Sequence, residues 1–176
     1  MKFNDALLKI NHEVLAKYPD AQFYEAQGYL VPTDNIGCEV DGTIDTAQFR
    51  VAYNYVDKER QKTIIGTLND DLTVKVEVIN DIWCEDIIMT PYVPMEIEDA
   101  IEMICAQCGN DAIGAGPVTL RHQLYPGEAE PRYFFGSLHK LHTINVYTGK
   151  IDVPAGNSVT KQLGRKLGLG IYKFFA

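Results

Sequence analysis

Phe3, Leu7, Ile10, Val14 and Tyr18 recur at steps of four, three, four and four. That spacing sets all five on one face of a helix. Asn4, Asn11 and Glu13 fall on the opposite face. Pro19 disfavours helical geometry in the residue before it, so the helix is expected to stop by Tyr18. From Ala21 to Ile44 the pattern is mixed, and Pro32, Asp34, Asn35, Gly37, Asp41 and Gly42 mark turns. Phe49, Val51, Tyr53 and Tyr55 then alternate with Arg50, Ala52 and Asn54, which is strand period. Thr63 to Leu68 predicts a second strand, Asn69-Asp70-Asp71 its turn, and Val74, Val76 and Val78 a third strand. Three strands joined by short turns imply an antiparallel sheet with one buried face.

Asp81 to Pro94 reads as a connector. A second helix follows, with Ile97, Ile101, Ile104 and Cys108 on one face and Ala100 and Cys105 flanking it. Glu96, Glu98 and Asp99 lie in its first turn, where the helix dipole favours negative charge. Gly109-Asn110 is the stop signal. Val118, Leu120, His122 and Leu124 alternate with Thr119, Arg121 and Gln123, which predicts a strand. Arg132 to Ser137 and Leu141 to Tyr147 predict two more. Thr148-Gly149 then turns into Lys150 to Val153.

The two halves can be superposed. Asn4 to Ile10 aligns with Glu98 to Ile104, with Asp, Ala and Ile identical. Phe3, Leu7, Ile10 and Val14 fall on Ile97, Ile101, Ile104 and Cys108 at the same offset, and Thr63-Ile64 and Thr143-Ile144 each open a strand. The expected fold is therefore α+β, with two related units, each a helix packed on a three- to four-stranded antiparallel sheet. Residues 1–80 form the first unit, 81–94 the connector, 95–153 the second unit and 154–176 a basic apolar tail. The units either share a core or join edge strands into one longer sheet, and both arrangements leave a sheet face partly open.

Asp99-Ala100 opening a helix, the strand Val118 to Leu124, Pro131-Arg132-Tyr133-Phe134-Phe135-Gly136 and the closing Ile144-Asn145-Val146-Tyr147-Thr148-Gly149-Lys150-Ile151 together resemble a PepSY-like domain. The resemblance covers about residues 95 to 153. The first half shares only the pattern, since Asn69-Asp70-Asp71 replaces the Thr-Gly turn. The resemblance implies a helix on an antiparallel sheet and non-catalytic roles, including inhibition or chaperoning of peptidases. A tandem of such units is also similar in architecture to beta-lactamase inhibitor proteins. It prescribes no catalytic residues, and it would suggest export.

Composition narrows the function classes. The chain has 176 residues, 46% of them hydrophobic and 23% charged, which is ordinary for a folded globular protein. Sixteen Lys and Arg stand against 24 Asp and Glu, a net charge of -8, so direct nucleic-acid binding is not expected. No apolar run approaches the length of a membrane span. The first residues have no signal-peptide core, and a cytoplasmic location is the expectation.

Candidate chemistry is sparse. Cys105-Ala106-Gln107-Cys108 is a C-x-x-C, but it falls late in the second helix and on its apolar side, where cysteine packs as a small hydrophobe. His139 and His142 would point to opposite faces and do not complete a metal set. Cys38, Cys84 and His12 carry no local signature, and His122 among apolar neighbours reads as a half-buried, hydrogen-bonded residue. No P-loop, G-x-S-x-G or H-E-x-x-H occurs, and no enzymatic activity, cofactor or metal is expected.

Charge patterning says more. From Val76 to Leu120 there are nine acidic residues and no Lys or Arg, and Trp83 lies within that stretch. An acidic surface around an aromatic anchor suits a protein partner with a basic surface. The expected function is non-enzymatic protein binding, with inhibition as one form of it, through an open sheet face and the acidic patch, with Trp83, Glu85, Asp86, Tyr92, Tyr53 and Tyr55 as contacts. One alternative is a small-ligand or hydrolytic site between the sheets that uses His122 and a cysteine. Another is a structural subunit that forms a homo-oligomer through the tail, where Lys161, Arg165, Lys166 and Lys173 interleave with apolar residues and glycines.

Overall fold

The computed structural model describes residues 1–33, 39–58, 60–80, 82, 93–110, 112–122, 130–136 and 141–152. Helix α1 (Phe3–Lys17) is followed by four strands, β1 (Gln22–Leu30), β2 (Arg50–Asp57), β3 (Arg60–Leu68) and β4 (Val74–Ile79). Helix α2 (Ile97–Cys108) is followed by four more, β5 (Gly116–His122), β6 (Pro131–Phe135), β7 (His142–Asn145) and β8 (Ile151–Asp152). The fold is α+β, as the periodicity predicts.

The eight strands form one sheet in the order β4-β3-β2-β1-β5-β6-β7-β8, and every pairing in it is antiparallel. The two expected arrangements occur together, since the core is shared and the sheet is continuous. Its seam is the β1–β5 ladder, in which Ala26 faces Leu120 and Gly28 faces Val118. Strand order therefore runs outward from the seam in chain order on both sides.

Both helices contribute to one core against the sheet. Phe3, Ala6, Leu7, Ile10 and Val14 of α1 and Ile97, Ala100, Ile101 and Ile104 of α2 are buried there with Val51, Tyr53, Ile64, Leu120, Tyr133 and Ile144 from the strands. Phe3 stacks edge-on against both Phe49, just before β2, and Tyr133 of β6, at 5.0 and 5.8 Å between centroids. α1 lies close on β3 because Gly66 has no side chain: a Cβ there would sit 2.3 Å from Ile10 Cγ2. α2 ends at Gly109, whose φ of 106° suits only glycine. α1 ends where Pro19 predicts, at Lys17, with Tyr18 as its cap.

Three expectations need correction. Asn4 and Asn11 do not face solvent but are buried along one side of α1's apolar stripe, each engaged with a tyrosine hydroxyl. Glu96 precedes α2 as its N-cap instead of lying in its first turn, which holds Glu98 and Asp99. No strand is predicted in the mixed region from Ala21, yet it contains β1, a central strand. A register shift between Phe23 and Glu25 puts Phe23 and Ala26 on the helix face three positions apart, which breaks the period-two signal.

Candidate functional site

The two helices begin side by side. Glu96 offers α2 no side-chain cap. Asn4, in the first turn of α1, does so from across the core: its Oδ1 accepts the Ile97 N–H at 3.2 Å. The Tyr133 hydroxyl lies 3.3 Å from the same oxygen and 3.0 Å from the Met95 carbonyl, and it shares its one proton between them. This junction gathers carboxylates from opposite halves of the chain. The Glu96 carboxyl is held above the usual range, first by burial and then by the negative charges of Glu98, Asp5 and Asp99. Lys2 is the cation of this region, 2.9 Å from Asp41 and 3.7 Å from Glu98. Asp41 is held down at about 2, foremost by the Thr43 hydroxyl, then by the Lys2 ammonium and the Thr43 N–H. The dipoles of the two helices favour Asp5, Glu98 and Asp99 where they stand, so local structure tolerates this concentration of charge.

The sheet face turned away from the helices is not the open surface expected. Its centre, with Glu25, Ala52, Thr63, Ile65, Arg132 and Phe134, is buried. A polar string crosses it. The Arg50 guanidinium donates to Gln27 Oε1 at 2.6 and 3.1 Å, and Gln27 donates to Glu25 at 3.1 Å. Glu25 lies 3.6 Å from Arg121, and Arg121 stands 5.5 Å from the centre of the Phe134 ring. Burial raises the Glu25 carboxyl, against the pull of Arg121 and Arg50. Arg121 and Arg132 face each other across β5 and β6, a repulsive placement for two cations. Arg132, 1% exposed, meets Asp152 at 2.6 Å and Thr143 at 3.3 Å. Charges matched within the sheet in this way fix its register.

The expected site residues divide. Trp83, Glu85, Asp86 and Tyr92 lie outside the described residues, as does the tail from residue 154. Tyr53 is fully buried under α1, where its hydroxyl donates to Asn11, and burial raises its pKa, so it is not a surface contact. The strand alternation that singled it out places it on the face α1 covers. Tyr55 is partly buried, edge-on to Tyr18 at 5.3 Å. Sequence reasoning passed over Asn4 and the arginine string, since an isolated polar residue carries no periodic signal.

The residues of the alternative chemistry fall only partly within the described residues. His122 ends β5 opposite Pro131, and the described strands form one sheet, with no gap between two. Cys105 is not the buried thiol expected but is disulfide-bonded, whereas Cys108 is free, so the C-x-x-C is not closed on itself. Cys38 and Cys84 lie outside the described residues. No helix among the described residues is long and apolar enough to cross a membrane. No family model matches the chain, and no curated protein or solved structure matches it, so the functional reading rests on its own residues.

Proposed function

We propose that this chain is a non-enzymatic protein-binding module whose working surface is the carboxylate patch at the joined helix N-termini. The observation that carries this reading is that Asp5 of α1, Glu96 at the N-cap of α2, and Glu98 and Asp99 in its first turn share one neighbourhood. Like charges held together cost stability and steer cationic groups toward the surface. The partner therefore presents a basic surface. The acidic sequence around Glu85 and Asp86 precedes that of the patch, and Trp83 and Tyr92 are the aromatic anchors of the contact. Inhibition follows where such a contact occludes the partner's own site.

The proposal extends to origin and compartment. The halves are related PepSY-like units joined at β1 and β5. In support, Tyr53 faces Ile64 across β2 and β3, and Tyr133 faces Ile144 across β6 and β7, so the same residue pair recurs at the same place in each meander. The Cys105 disulfide favours an oxidising compartment over the cytoplasm.

The test begins by capturing a partner from native-host extract. The purified partner is then titrated against the wild-type chain and an Asp5→Lys/Asp99→Lys variant. The expected result is binding about tenfold weaker for the variant, and weaker for wild type at about 200 than at about 50 mM salt. Equal affinity in all these titrations overturns the reading.

A further inference from the structure

β4 is one end of the sheet, paired only with β3 among the described residues. Such an edge presents backbone groups that another strand can pair with, and edge charges commonly oppose that pairing. The charges on this edge are complementary to themselves. Its sequence, Val74-Lys75-Val76-Glu77-Val78, places one cation and one anion symmetrically about Val76. Lys75 and Glu77 share the face away from the helices and pair with each other at 2.7 Å, with side chains 55% and 54% exposed. On the helix side Val74 and Val76 pack partly against the core, while Val78 is 39% exposed.

We propose that β4 pairs with β4 of a second copy of this chain, antiparallel about a twofold axis at Val76, to give a continuous sixteen-stranded sheet. In that register Lys75 of each copy faces Glu77 of the other, so both ion pairs are kept but run between copies. Val78 of each copy faces Val74 of the other and loses its exposure. Any other antiparallel register of the same two strands loses both cross-pairs. Sterics permit it. α1 packs chiefly over β3. Three strand spacings separate β3 from its copy, so the two α1 axes stand about 14 Å apart. That exceeds the roughly 10 Å diameter of a helix.

The test is the association state of the full chain by analytical ultracentrifugation across a concentration series. The wild-type chain is expected to form a dimer. Lys75→Glu and Glu77→Lys each set like charges opposite one another twice, and each is expected to weaken the dimer about tenfold. The double variant, Lys75→Glu with Glu77→Lys, restores opposite charges and is expected to restore wild-type association. Because all three changes are on an exposed edge, circular dichroism should show the same folded spectrum throughout. A wild-type chain that stays monomeric overturns the proposal. So does a dimer indifferent to both single reversals, or one that the double reversal fails to rescue.

Discussion

Asn4 of α1 accepts the Ile97 N–H that opens α2, so one helix caps the other. The residue is buried and the same oxygen lies within reach of the Tyr133 hydroxyl from β6. Helix, helix and sheet therefore meet at a single side-chain atom. Asn4→Ala is expected to cost about 1–3 kcal/mol, since it strands a buried N–H and weakens a buried hydroxyl. Tyr133→Phe, which removes one partner but keeps the Phe3 stacking, should cost about 1 kcal/mol. Urea unfolding monitored by circular dichroism reads both, and a neutral Asn4→Ala would contradict the capping role.

The closeness of α1 to β3 depends on Gly66. Gly66→Ala drives a methyl into Ile10 and is expected to destabilise by about 1–3 kcal/mol. Ile10→Val removes bulk beside the same point. In a double-mutant cycle the pair should cost less than the sum of the single changes. Strict additivity would mean that the two positions do not touch.

Acid stability is expected to carry the signature of Asp41. Its folded pKa of about 2 lies below the ordinary 3.8. The unfolded state therefore takes up protons first, and the stabilisation is complete above about pH 4 and is lost as pH falls toward 2. Glu25 and Glu96 are raised and act in the opposite sense, favouring the folded state as they protonate. Asp41→Asn should flatten the fall in melting temperature between pH 4 and 2 while lowering stability by about 1 kcal/mol at neutral pH. An unchanged acid limb would remove Asp41 from the account.

Removing one member of the buried pair on the far face leaves the other charge uncompensated. Glu25→Ala is expected to cost about 3–5 kcal/mol, with Arg121 left beside Arg132 and without its carboxylate. Replacing both Glu25 and Arg121 by leucine should cost less than Glu25→Ala alone. Chemical denaturation separates these outcomes, and a silent Glu25→Ala would show that the string carries no structural role.

Reduction should loosen α2. Loss of the Cys105 disulfide, by a phosphine reductant or by Cys105→Ser, is expected to cost about 2–4 kcal/mol. Cys108→Ser should leave stability close to wild type and the response to reductant intact, because Cys108 is already free. Thermal melts with and without reductant decide this.

Much of the architecture was legible because burial enforces periodicity. The stripe Phe3, Leu7, Ile10 and Val14 and the alternation Phe49, Val51, Tyr53 each mark a face that must leave water, and both are buried. Ala6 and Ala100, and Ile10 and Ile104, lie at equivalent places in the aligned helices and are all buried. The failures have equally physical causes. β1 is interrupted by a bulge and uses Gly28, over which the Phe49 ring packs, so neither alternation nor β-propensity marks it. Asn4 looks polar and solvent-facing until its partners arrive from distant segments. Alternation identifies two strand faces but not which one a helix covers, and for that reason Tyr53 read as a contact. The acidic stretch was visible as composition, but its meeting with Asp5 depends on how two helices start.

The most direct measurement is hydrogen–deuterium exchange of the chain with and without its purified basic partner. The account predicts protection concentrated at the starts of α1 and α2 and along residues 81–92, reduced in Asp5→Lys/Asp99→Lys. A footprint that leaves both helix starts unprotected would contradict it.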